Sequence, residues 1–245
     1  AVTASYRLLD ETVIAYGGVT GELKQNSYYD FVEGNPFVSP TLTIAPTDSQ
    51  YNAYVGFKGQ LLPNLSYNVK GSYTAENNKP LYTLNPRNGN SFGLFYDDIK
   101  TLGIFGELNV DVNRNFTAGA NVEIYDYNTE TGNPAWNLPN LQASLFMDYQ
   151  IGEKWYAGVN LFYVGEREDF SSTVVQNVQP SEFPATLITL DGYFDANAHV
   201  GYRYTDQWSF FIKGANLSNN DYQRWSNFHV QGIQILGGAT YKFDF

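Results

Sequence analysis

Residues 141–163 read Leu-Gln-Ala-Ser-Leu-Phe-Met-Asp-Tyr-Gln-Ile-Gly-Glu-Lys-Trp-Tyr-Ala-Gly-Val-Asn-Leu-Phe-Tyr, and their alternation decides the fold. Leu141, Ala143, Leu145, Met147 and Tyr149 share one face of an extended chain, opposite Gln142, Ser144, Asp148 and Gln150. After the break at Gly152-Glu153-Lys154 the alternation resumes, with Trp155, Ala157, Val159, Leu161 and Tyr163 opposing Gly158 and Asn160. Side chains of a strand point to opposite faces with period two. Two runs of about ten residues joined by a tight break are therefore a hairpin of the length that crosses a bilayer at a tilt.

The same pattern repeats outward from that hairpin. Phe194, Ala196, Ala198, Val200, Tyr202 and Tyr204 oppose Asp195, Asn197, His199 and Arg203. Ile233, Ile235, Gly237, Ala239, Tyr241, Phe243 and Phe245 oppose Gln234, Gly238, Thr240, Lys242 and Asp244. Upstream, Leu102, Ile104, Leu108 and Val110 oppose Thr101, Glu107 and Asn109, and Tyr51, Ala53, Val55 and Phe57 oppose Asn52 and Lys58. Tight turns are expected at Asp10-Glu11, Pro63-Asn64, Asn113-Arg114-Asn115, Gly152-Glu153-Lys154 and Asp206-Gln207. Long loops are expected over 25–48, 77–98, 127–139, 166–189 and 217–228. Short turns on one rim and long loops on the other are the arrangement of outer-membrane barrels, turns periplasmic and loops external. Aromatic residues also gather at strand ends (Trp155, Tyr156, Trp208, Tyr202, Tyr204, Tyr163, Tyr125, Tyr127), where amphipathic rings meet head groups.

Composition agrees. Aromatic residues make up 17% of the 245 residues and charged ones 16%, against about 25% charged in ordinary domains. No apolar run reaches the length of a membrane-spanning helix. The formal net charge of −11 excludes nucleic acid as a partner and leaves outer-membrane lipid to be met by insertion, not by head-group attraction. The chain has no cysteine, which excludes disulfides and cysteine metal sites. Residues 1–5 carry no signal-peptide pattern.

Eleven strands are expected, near 2–9, 12–24, 49–61, 65–76, 99–112, 115–127, 139–151, 154–165, 189–205, 207–217 and 229–245. An odd count sends the first and last strands toward the same rim, whereas single-chain bacterial barrels have an even count. Residues 1–245 therefore read as one transmembrane β-barrel region, all-β and antiparallel, forming part of a larger barrel.

Four motifs in the last 110 or so residues carry a resemblance: Asn216-Leu217-Ser218-Asn219-Asn220-Asp221-Tyr222, Leu138-Pro139-Asn140 leading to Asp148-Tyr149, Tyr163-Val164-Gly165-Glu166-Arg167, and the terminal Gly238–Phe245. Together and in this order they resemble the C-terminal barrel half of TonB-dependent outer-membrane receptors. The resemblance implies a barrel of about 22 strands and a C-terminal strand, ending at Phe245, that the barrel-assembly machinery recognises. It also implies a plug domain, which these residues do not contain, that couples to an inner-membrane energy-transducing complex. Uptake of a large scarce nutrient follows from it: an iron chelate, cobalamin or a glycan, with a surface lipoprotein as a further partner. The rival readings are a plugless barrel serving as a structural or interaction subunit of an outer-membrane complex and a passive porin, which needs a complete even-stranded barrel and a constricting inward loop.

Little else suggests chemistry. His199 with Asp195 on one face is a thin basis for a hydrolase, and a lumenal salt-bridge ladder explains it as well. Asp126, Asn128 and Glu130 misfit a calcium loop, which would need a carboxylate at Asn137. Neither enzyme activity nor a cofactor is expected. The ligand-binding candidates are Arg167, Arg203 and Arg224, cations placed near the lumen or outer mouth, with Trp136, Tyr222 and Trp225 among the loop aromatics. Packing of the loops against one another competes with ligand contact for those rings, since loops this long need a core of their own.

Overall fold

A computed structural model describes residues 1–113, 115–171 and 186–243. The strands are β1 (Val2–Leu9), β2 (Val13–Lys24), β3 (Thr47–Leu62), β4 (Leu65–Leu84), β5 (Phe92–Asn113), β6 (Phe116–Thr129), β7 (Leu141–Ile151), β8 (Trp155–Val164), β9 (Arg167–Ser171), β10 (Thr186–Leu190), β11 (Tyr193–Arg203), β12 (Trp208–Ala215), β13 (Gln223–Trp225), β14 (Phe228–His229) and β15 (Gln234–Tyr241), with one helix, α1 (Tyr28–Gly34). Eleven of them form one antiparallel sheet in the order β1-β2-β3-β4-β5-β6-β7-β8-β11-β12-β15. The two remaining pairs, β9–β10 and β13–β14, are small hairpins inside long loops.

The register follows the period-two pattern. Leu145 lies opposite Leu161, and Leu161 opposite Ala196, while Ser144 pairs with Phe162 and Asn160 with Asn197. One face carries Val55, Leu102, Ile104, Ile212 and Ile235, all exposed, Val55 to 63%. So large an apolar surface is incompatible with water and suits hydrocarbon. Trp155 packs on Tyr202 at 4.6 Å and Trp208 on Tyr241 at 4.9 Å, forming the aromatic girdle of the tight-turn rim. Turns there are built by residues that tolerate positive φ: Asp10 (45°) and Gly152 (64°).

Several expected boundaries shift. The stretch Asn77-Asn78-Lys79-Pro80 reads as a loop, yet β4 and β5 run through it and close at 85–91. Asn78 does adopt positive φ (53°), but the result is a bulge between Glu76 and Lys79 that keeps the pairing going. The expected strand 189–205 is two elements, since Thr186–Leu190 turns back onto β9 and the wall strand begins at Tyr193. The acidic stretch from Asp126 to Asn128 is strand, not calcium-loop backbone. In the expected loop 25–48, α1 is held by a capping box between Ser27 and Asp30. Arg114, Phe183 and Phe245 lie outside the described residues.

Both edge strands, β1 and β15, run from the long-loop rim to the tight-turn rim. Antiparallel closure of the wall therefore requires an odd number of further strands.

Candidate functional site

The buried core lies not between sheets but among the long loops. Phe31 of α1, Val38, Leu84 and Phe92 form one apolar cluster, with Trp225 and Phe228 packed against it. Phe37 stacks on Phe228 with ring centroids 3.6 Å apart. Trp225 meets Tyr82 at 5.2 Å and Phe92 at 5.4 Å, edge to face. Loops 25–46 and 216–233 spring from opposite ends of the eleven-stranded sheet, so these contacts draw its long-loop rim into a cap. The Asn227 side chain donates to Gly89 O at 3.1 Å, adding the tip of the β4–β5 hairpin. A second cluster, Leu81, Ile99 and Trp136, extends the cap along that hairpin.

Polar groups tie the pieces together. Arg167, only 5% exposed, donates to Arg224 O at 2.5 Å and Gln223 O at 2.9 Å. Its guanidinium lies 5.3 Å from the Tyr193 ring centroid. Burial lowers the affinity of Arg167 for its proton, an effect opposed by Tyr193 and Asp169. On Tyr193 stacks Tyr222, with centroids 3.8 Å apart and planes 6° from parallel. The Tyr222 hydroxyl donates to Asp195 Oδ2 at 2.7 Å. Burial, then the neighbouring Asp195 carboxylate, raises the Tyr222 pKa well above that of a free phenol. The result is a layered post, Arg167 over Tyr193 over Tyr222, standing on Asp195 at the start of β11. Two of its buried polar atoms, Arg167 Nε and Asp195 Oδ1, have no hydrogen-bond partner among the described residues.

The structure thus unites Arg167, Tyr222 and Arg224 in one cluster, with Trp225 beside it in the cap. Trp136 is 4% exposed and belongs to the second apolar cluster. Its neighbour Asn137 reaches toward the post, with its N–H donating to Glu168 O at 2.9 Å. Arg203 is elsewhere. It stands on the inner face at the tight-turn rim, 5.2 Å from the Tyr156 ring centroid and donating to Gln150 Oε1 at 2.8 Å. The sequence pattern puts Arg203 on the correct face but gives no height along the strand, and its closeness to Asp206-Gln207 sets the height. The expected Asp195–His199 pairing does not form: His199 lies 3.9 Å from Asp148, and Asp195 serves Tyr222. Tyr193 escapes sequence reasoning because its role is set by a partner almost 30 residues downstream.

A cavity of about 550 Å³ opens beside the post, lined by Tyr222, Asp191, Asn220, Asp221, Gln223 and His229 among others. His229 Nδ1 and Asp221 Oδ1 are 2.8 Å apart, and His229 Nε2 lies 3.1 Å from Gln223 Nε2.

No protein-family model and no curated protein matches the chain. Solved structures do. The ferripyoverdine receptor of the outer membrane of Pseudomonas aeruginosa, bound to ferripyoverdine, aligns over 98% of this chain with a TM-score of 0.70 at 17% identity. The siderophore receptor PirA from Acinetobacter baumannii aligns over 98% with a TM-score of 0.70 at 18% identity, and the copper transporter OprC over 98% with 0.65 at 15%. The chain covers 32%, 40% and 39% of those chains respectively, so it spans a third to two fifths of their length. With its eleven-stranded antiparallel sheet, the chain has the fold of the barrel wall of TonB-dependent outer-membrane receptors.

Proposed function

We propose that this chain is wall and external cap of an outer-membrane receptor that imports a large, scarce nutrient: an iron chelate, cobalamin or a glycan. The observation that carries this reading is the cap. Loops from both ends of the sheet share one aromatic core, which gives a rigid platform above the lumen instead of the open mouth of a passive channel. On this platform Tyr222 and Arg224 meet the ligand, since Arg224 is exposed while its backbone carbonyl is held by Arg167. Arg167, Trp136 and Trp225 hold the platform, and Arg203 supplies a cation at the far end of the lumen. Coupling to an inner-membrane energy source is assigned to a plug, insertion to the barrel-assembly machinery acting on the C-terminal segment whose last residue is Phe245, and ligand delivery to a surface lipoprotein. A purely structural role draws no support from a cap of this kind.

The test is uptake by cells carrying the intact protein that contains this segment. Arg224→Ala combined with Tyr222→Ala is expected to lower ligand uptake about tenfold while the protein still reaches the membrane. Uptake that persists unchanged after the inner-membrane energy source is removed overturns the reading.

A further inference from the structure

We propose that the cavity beside the Tyr193–Tyr222 post is a subsite for a neutral pyranose. This deepens the receptor reading by naming the chemistry of one ligand portion.

The argument rests on the lining. Tyr222 has one face against Tyr193, and it forms part of the cavity wall. A ring anchored by stacking on one side and by its hydroxyl on Asp195 cannot rotate away, so it offers a fixed flat surface. A sugar ring presents such a surface with its face of C–H groups, while its hydroxyls project sideways as paired donors and acceptors.

Groups that read hydroxyls surround the ring. Asp191 is exposed, and its carboxylate has no hydrogen bond or ion pair to any described residue. Asn220 uses its side-chain N–H on Phe194 O at 2.8 Å, which fixes the amide with its oxygen available. Asp221, His229 and Gln223 form a short polar chain that holds the imidazole in place. Tyr163 adds a phenol at the lower edge, where it belongs to the hydrocarbon-facing row with Phe194. No lysine or arginine lines the cavity among the described residues. Planar amides and carboxylates around an aromatic floor suit a neutral polyol, and two carboxylates, Asp191 and Asp221, repel an anion. The volume of about 550 Å³ lies within the range of small-molecule sites.

Such a sugar has two sources, a free oligosaccharide or the head group of a glycolipid, because the cavity overlies the hydrocarbon-facing residues Tyr163 and Phe194. Calorimetry on the intact protein separates them. In detergent it is titrated with maltotriose, cellotriose, xylotriose and mannotriose; in nanodiscs, with and without a digalactosyl lipid, binding of that lipid is read by native mass spectrometry. At least one saccharide is expected to bind, and both Tyr222→Leu and Asp191→Ala should weaken it about tenfold. Asp191→Ala alters an exposed side chain, so its result does not depend on the fold surviving the loss of the post. Binding by none of the probes, or binding unchanged in Asp191→Ala, overturns the proposal. Energy-dependent uptake together with binding by none of the probes leaves the receptor reading standing while the saccharide subsite falls.

Discussion

At the residue scale, Arg167 is the side chain on which the cap most depends. It holds two carbonyls of loop 216–233 from a buried position. Arg167→Met should cost about 1–3 kcal/mol of cap stability, measured as faster proteolysis within 216–233 with the wall strands still protected. Tyr222 makes a pH-dependent contribution. Its pKa is raised in the folded cap above about 10, the value in an unfolded chain. Its contribution is therefore complete below that pH and is lost as pH rises through the folded value, because the unfolded chain deprotonates first. Tyr222→Phe should lower cap stability at neutral pH and flatten the loss seen above about pH 10, a difference visible in proteolysis followed against pH. The sequence singles out Arg167, Tyr222, Arg224 and Trp225 as loop cations and aromatics, and the structure gathers them in the cap. Asp195 and Tyr193 are not legible there, since the partner that defines them comes from another loop.

At the element scale, the wall is written in the period of two. Leu145, Leu161 and Ala196 announce their common face before any pairing is known, and the structure lines them up across three strands. Where that signal weakens, so does the reading. Asn77-Asn78-Lys79-Pro80 has the chemistry of a turn, and a bulge uses that chemistry without ending the strand. Residues 186–190 have the periodicity of a wall strand, yet they pair with β9 above the rim. Periodicity reports that a segment is extended, not which partner it takes. The two faces also differ in what they tolerate. Ile104→Lys, on the exposed apolar face, should cost about 2–4 kcal/mol in bilayers, whereas Asn121→Lys, on the inner face, should be near neutral. Heat-modified mobility on cold gels, run for both variants, checks the contrast.

At the scale of the whole molecule, the sheet has two like-directed edges and a continuous apolar exterior. The described segment should fold only in lipid or detergent, and alone it should show no ligand-dependent uptake. A monodisperse, folded species in plain buffer, seen by ultracentrifugation, contradicts this. The net charge of −11 is compatible with such a surface because described carboxylates such as Glu107, Glu123 and Asp195 stand on the inner face, away from the face that carries Val55, Phe57, Ile104 and Phe194.

The stack of Phe37 on Phe228 has a kinetic consequence. Its two rings are separated by almost 200 residues of chain, and the second belongs to the connection between the last two wall strands. Such a contact closes a very long loop and cannot form until nearly all intervening strands are in place. The cap is therefore a late event in maturation, and its closure marks a wall that has already been laid down.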